Sequence, residues 1–531
     1  MTTLPPTAQK TDTQATRRCD AAAGGLLVSL TLFRLWYDTR HELVQDEAYY
    51  WQWSRHLDWG YYDNTPLMAL VIRLFTSLFG TTELGVRAGA TFCSLIACVF
   101  LYLLARRLLG ATVAVVAVAL SCVVPLLAAG SVLMTQDPVQ IAFWAAALYV
   151  AQRALSQPTD RPGWPWWIGA GVLAGLAAQS KLNALLLLPS VFLYVLLSPA
   201  ARDRWLRRPQ PYASGIVALL IFAPFLWWNH THQNAFWIHI HAMGSRGTGH
   251  DGPKWVLRFL GDQALILSPL LFLTYLYTLY DGARRGAKRW TQEHDDAWLF
   301  LWCPSLVVFA ATIATALKSK VEANWAAAAY VTGLILIAAV LVRLWERRGV
   351  WGKAWGVLCV AISLLLAVVP LFPGLLYAAG VKFPHGSDDR TNELYGWRAM
   401  AARVAAEQAA MEDSGGGTPF VFGINYRMPS EAAFYLPGRP QTYALFLNYK
   451  ASEYMFWEDP KLLQGRDAVF LNDTDNQDHF DDLRAVFARV EPQPPLRVYR
   501  NPPYTDPIRT VQVVRCYGFK GYSVRRWQDG W

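Results

Sequence analysis

Four stretches of this chain, 111–133, 141–155, 214–228 and 355–369, carry a single charge between them, Arg153. Each is close to the length a helix needs to cross a bilayer, about 20 residues with shorter ones tolerated. In hydrocarbon every backbone N–H and C=O must find its partner inside the structure, so runs of this kind demand membrane helices. The chain reads as an all-α polytopic bundle. Its composition agrees, with 54% hydrophobic and 16% charged residues, against about 25% charged in an average soluble protein. The 24 tryptophans fit as well, because indole rings favour membrane–water boundaries.

The formal charge of +9 does not indicate a nucleic-acid partner. The basic residues stand in short clusters between apolar runs, where topology signals belong. Five of the seven cysteines (Cys93, Cys98, Cys122, Cys303 and Cys359) lie inside apolar runs, and no CxxC occurs. Neither a disulfide framework nor a zinc–thiolate site is indicated. Residues 1–20 are polar and expected to be disordered, and the first apolar run reads as a retained signal anchor.

Membrane helices are expected near 21–37, 87–105, 111–133, 138–155, 165–180, 182–199, 212–229, 256–280, 297–317, 325–343 and 354–377, about 11–13 in all. Their connections alternate. Arg17/Arg18, Arg106/Arg107, Arg153/Arg161, the arginines of 202–208, the basic residues of 284–289 and those of 343–353 fall on one side. The positive-inside rule makes that side cytoplasmic. The alternation requires 165–199 to be two helices, and the polar sequence Gln179-Ser180-Lys181-Leu182-Asn183 together with Pro189 favours the division.

The other face then collects Asp46/Glu47, Thr135-Gln136-Asp137, Lys181/Asn183, a histidine-bearing segment at 229–251, and Lys318-Ser319-Lys320-Val321-Glu322-Ala323-Asn324. Ionisable residues near membrane depth are costly and usually have a partner or a role. Each has a plain reading too. Asp46/Glu47 can hydrate a loop, Asp137 can cap a helix, and the lysines can snorkel. Partial desolvation among the neighbouring aromatics would raise a carboxylate toward values useful for proton abstraction. Lys181, Lys318 and Lys320 together would suit a lipid phosphate. The alternation of His239 and His241 does not match helical metal-ligand spacing. After about Ala379 the composition becomes soluble. A helix is expected over 388–411 and strands at 419–423, 467–471 and 509–515, in a small α/β domain. Gly415-Gly416-Gly417 reads as a turn, and the aromatic segment 443–457 as ordinary packing.

The stretch Asp46-Glu47-Ala48-Tyr49-Tyr50-Trp51, followed by Asp58-Trp59-Gly60-Tyr61-Tyr62-Asp63 and Pro66-Leu67, closely resembles the first outer loop of bacterial GT-C membrane glycosyltransferases. That group includes the aminoarabinose transferase of lipid A, lipopolysaccharide-core galacturonosyltransferases and, more distantly, protein O-mannosyltransferases. Glu83-Leu84-Gly85-Val86-Arg87, Thr135-Gln136-Asp137, Ser180-Lys181, Lys320–Trp325, Asn392–Trp397 and Phe434–Gly438 extend the similarity along nearly the whole chain.

The resemblance implies a GT-C membrane domain over 21–379, with amphipathic helices in a first periplasmic loop at 38–86, and a periplasmic domain over 380–531. It implies an inner-membrane enzyme that takes sugar from a polyprenyl-phosphate donor to a lipid or glycan acceptor with inversion. Asp46 would be the general base, with Glu47 and Asp137 as further catalytic candidates. Lys181, Lys318 and Lys320 would hold the donor phosphate, and Tyr61, Tyr62, Asp63 and Asn324 would contact substrate. The leaving phosphate would be stabilised by cations or by a divalent metal, two alternatives that the resemblance leaves open. Relatives often place a cation just before the proline of the first-loop motif. Here the sequence is Asp63-Asn64-Thr65-Pro66, so phosphate contacts must come from elsewhere. A transporter or flippase of lipid-linked sugars would need polar residues through the bilayer thickness, which the sequence scarcely has. A non-catalytic scaffold would tolerate loss of Asp46.

Overall fold

The computed structural model describes residues 6–158, 160, 163–244, 251–286, 293–347, 349–372, 375, 379–380, 389–413, 417–445, 451–457, 459–473, 479–500 and 506–521. They form two compact units. One comprises Met1–Asp38, Asn64–Met68 and Arg87–Leu371, and the other Thr39–Asp63, Ala69–Val86 and Phe372–Trp531. This differs from the expected division at 379/380, since most of the first loop groups with the C-terminal residues. The first helix runs Pro6–Asp38 and so begins within the stretch expected to be disordered.

The first unit is helical. Among the described residues six helices are long and apolar enough to cross a membrane, or up to eight if each of two bent pairs is one span. Prolines divide two of the expected spans. The run at 256–280 is two helices, Gly252–Leu267 and Pro269–Gly286, meeting at a bend of 114°. Pro269 has no N–H to donate and disfavours helical geometry in the residue before it. Ser268, at the bend, takes φ +77° and ψ 145°, outside the helical region. The run at 111–133 breaks in the same way, into Ala111–Val123 and Pro125–Gly130 with Val124 extended.

The expected division of 165–199 is present. Helix Trp164–Ser180 ends at Lys181 (φ −161°, ψ 131°), a short 3-10 turn follows over Leu182–Leu186, and helix Leu187–Leu197 resumes. Glycines let the first of these approach helix Pro209–Thr231 closely. A Cβ added to Gly171 would lie 2.4 Å from the Ser214 carbonyl oxygen, and one at Gly175 would lie 2.6 Å from Ile221 Cβ. Small residues four apart are how membrane helices bring their backbones together. Helix Ala329–Arg347 is buried continuously over 329–341, which explains why it is apolar all round.

The second unit is built on a mixed sheet. Strands β1 (Phe420–Gly423), β2 (Thr442–Ala444), β3 (Ala468–Asp473), β4 (Phe487–Pro492), β5 (Leu496–Val498) and β6 (Arg509–Phe519) lie in the order β2-β1-β3-β6-β4, with β5 also on β6. The first three are parallel and β6 runs antiparallel to β3. Alternate residues point to opposite faces. Val469 and Leu471 of β3 pack with Met400 and Val404 of helix Trp397–Glu412, whereas Ala468 and Phe470 pack with Leu483 and Phe487. Both faces are covered, which is why these strands read as continuous apolar runs. The strands expected at 419–423, 467–471 and 509–515 are β1, β3 and β6. Strands β2, β4 and β5 were not anticipated. Asp388, Gly415 and Gly416 lie outside the described residues.

Candidate functional site

Extended Val44 (φ −84°, ψ 156°) feeds helix Gln45–Arg55 and places Asp46 and Glu47 in its first turn, where backbone amides lack intrahelical partners. Glu47 answers that need. It is fully buried, and its Oε2 accepts the Val44 N–H at 3.0 Å, the return half of a capping box. Asp46 is exposed, so the water exclusion expected around it falls on its neighbour instead. The Tyr426 hydroxyl donates to Asp46 Oδ1 at 2.9 Å, and among the described residues Oδ2 has no hydrogen-bond partner. Burial, then the charges of Asp46 and Asp63, push the Tyr426 hydroxyl above its ordinary range. It therefore stays protonated and continues to donate.

Tyr426 is itself held by stacking on Tyr49, with ring centroids 4.1 Å apart. The Tyr49 hydroxyl donates to Asp63 Oδ2 at 2.8 Å and accepts the Glu453 N–H at 2.7 Å. Glu453 Oε2 in turn accepts the Tyr62 N–H. The Glu453 side chain is buried, and burial pushes its carboxyl well above the usual carboxylate range.

Tyr61 and Tyr62 are fully buried. The Tyr61 hydroxyl faces the Trp53 and His56 carbonyls at 3.1 and 3.2 Å, and its ring stacks on Trp53 at 4.4 Å. Both tyrosines pack the loop interior. A large ring with one polar tip buries readily once that tip finds a carbonyl. Asp63 anchors Tyr49.

In the helical unit a second group forms around Asp137, in the first turn of helix Gln136–Leu155. Its Oδ1 accepts from Lys181 Nζ at 2.7 Å and its Oδ2 from Asn324 Nδ2 at 2.6 Å. The ion pair is largely buried, with side-chain exposures of 15% and 10%. Asn183 belongs to the same group, accepting from Gln140 at 2.7 Å and donating to the Trp325 carbonyl at 3.1 Å. Thr135 makes no side-chain cap bond. Asp137 thus ties together three chain breaks: its own helix start, the break at Lys181 and the 3-10 turn Ala323–Ala326. Lys318 is exposed, and Lys320 pairs with Glu322 at 2.9 Å in an exposed bridge.

Among the described residues no group of three or more His, Cys, Asp or Glu side chains is placed to hold a metal ion. His232 rests against Trp228, its Nδ1 2.9 Å from the Trp228 carbonyl oxygen, and His250 lies outside the described residues. Sequence reasoning missed Tyr426 and Glu453. The first stands in no motif, and the second lies within an aromatic segment read as packing. Only the chain reversal that stacks Tyr426 on Tyr49 identifies them.

The family model described as dolichyl-phosphate-mannose-protein mannosyltransferase matches residues 63–228. The chain is 30% identical over 430 residues to the lipid A galacturonosyltransferase RgtD of Rhizobium johnstonii, covering 80% of this chain and 84% of that protein. In three dimensions it is similar to ArnT of Cupriavidus metallidurans. The apo form matches with a TM-score of 0.59 at 17% identity, over 93% of this chain and 98% of that one. The form bound to undecaprenyl phosphate matches with a TM-score of 0.57 at 16% identity, over 92% and 97%.

Proposed function

The chain belongs to the GT-C membrane glycosyltransferases, and from that premise we propose that it transfers a sugar from a polyprenyl-phosphate donor to a hydroxyl of a lipid A-like acceptor on the periplasmic side of the inner membrane. The relative RgtD supports the acceptor class by its name, and the ArnT complex with undecaprenyl phosphate supports the donor class.

The observation that carries the reading is the state of Asp46. One carboxylate oxygen is held by Tyr426 and the other is open on an exposed side chain. That is the arrangement a general base requires: fixed orientation and one unused lone pair. Asp46 would take the acceptor's proton while the acceptor oxygen bonds to the anomeric carbon. The bond from that carbon to the phosphate oxygen breaks on the opposite face, which inverts the centre. The departing polyprenyl phosphate carries the electron pair and needs cationic donors. Lys181, Lys318 and Lys320 are the proposed ones. Lys181 gives one N–H to Asp137 and keeps two. Glu47 is assigned to the helix cap, and Asp137 to holding Lys181 and Asn324.

The test is mass spectrometry of lipid A from a deletion strain carrying the wild type, Asp46→Asn or Tyr426→Phe, with rates measured on purified protein. Asp46→Asn should lower kcat by about a hundredfold or more. Tyr426→Phe, which frees the carboxylate to rotate, should lower it less, with KM for the donor little changed. A fully restored glycan profile and rate in the Asn variant would defeat the base assignment.

A further inference from the structure

An apolar groove of about 560 Å³ lies within the helical unit, lined among others by Ala147, Ala151, Ala174, Phe192, Gly215 and Leu219. That volume falls in the range of sites for a single apolar ligand. Ala147 and Ala151 stand 10 and 14 residues beyond Asp137 on the same helix, roughly 15–20 Å along its axis. The groove is therefore separate from the Asp137 group.

Trp205, Leu206 and Tyr212 also line it, in or next to the segment that carries the arginines of 202–208. Trp205 is fixed, its indole N–H donating to the Leu155 carbonyl at 3.0 Å, and the Tyr212 hydroxyl donates to the Leu206 carbonyl at 2.7 Å. Tyr212 is exposed, as rings at a membrane–water boundary are. Arg204 and Arg207 are exposed, and neither has a carboxylate partner among the described residues. Arg204 and Arg207 are thus the chain neighbours of Trp205 and Leu206, which line the groove.

We infer that this groove binds one anionic phospholipid, an acyl chain in the slot and the phosphate on Arg204 and Arg207. Guanidinium groups pair with phosphate oxygens in two-pronged fashion, and basic clusters flanking membrane helices attract anionic headgroups on the side the positive-inside rule assigns to the cytoplasm. The inference does not depend on the transfer reaction.

Native mass spectrometry of the full-length protein, titrated with dioleoyl phosphatidylglycerol or with the phosphatidylcholine of the same chains, tests it. The wild type should retain one copy of the glycerol lipid in preference to the choline lipid. The double variant Arg204→Ala/Arg207→Ala should weaken the anionic lipid by about thirty-fold and leave the choline lipid unchanged. Gly215→Leu should abolish the retained copy by filling the slot. An added Cβ there meets nothing within 4 Å, and leucine is the better helix former, so the variant should fold. Equal retention of the two lipids, a copy that survives Gly215→Leu, or displacement of the glycerol lipid by equimolar polyprenyl phosphate would each overturn the proposal.

Discussion

Asp46 and Glu47 are adjacent in the chain and opposite in environment, because one helical step turns a side chain by about a hundred degrees. One faces solvent beside Tyr426, and the other is buried as a cap. The motif announced an acidic pair, but which acid stays open was a matter of helix phase. Asp137 shows a similar split. Its place at a helix start was legible, and its hold on Lys181 and Asn324 was not, since those residues lie 44 and 187 positions away. Glu453 gives the residue-scale prediction. Burial raises its carboxyl in the folded chain, so the native state keeps a proton that the unfolded state releases. Its stabilising effect is complete below the ordinary carboxylate range and is lost as pH rises from there toward the raised native value. Denaturant unfolding followed by tryptophan fluorescence should show lower stability at about pH 8 than at about pH 5. Glu453→Gln keeps an acceptor for the Tyr62 N–H and should flatten that slope. A slope that persists in the variant would assign it to another group.

Two element boundaries fell at prolines inside hydrophobic runs. Hydropathy sums over a window and cannot see a break of one residue, so 256–280 and 111–133 read as single helices. Pro269 and Pro125 were visible throughout, and both breaks fall immediately before them. The break at Lys181 was legible because polar residues there had no reason to sit in lipid. The spacing Gly171-x-x-x-Gly175 was likewise in plain view, but which helix it faces required the structure. Gly171→Ala would push a Cβ against the Ser214 carbonyl. It should cost about 1–3 kcal/mol, measured as earlier thermal unfolding in mild detergent. Gly215→Leu, on the partner helix but facing open space, should cost little by the same measurement. Equal losses in the two would mean that backbone approach is not what Gly171 provides.

At the scale of the molecule, the second unit is discontinuous in sequence. The Tyr435 hydroxyl accepts the Leu43 N–H across 392 positions, and the Trp397 N–H donates to Glu42 at 2.6 Å. A fragment beginning at Asp389 would lose these bonds and leave Glu453 without the Tyr62 amide. It should be cut readily between about residues 426 and 445 in limited proteolysis, whereas the full chain resists there. A fragment as resistant as the full chain would mean that the first-loop contacts contribute no stability. The sequence alone determined the membrane class, the acidic first-loop motif, the family and three of the six strands. These rest on apolar run length, local alternation and motif, all of which act over a few to twenty residues. Only the tertiary structure decided that Asp46 is the open acid, that Lys181 is already paired, that Tyr61 and Tyr62 are interior, and that the first loop groups with the C-terminal sheet. Burial and pairing are set by residues hundreds of positions apart, and no local pattern in the chain records which of them will meet.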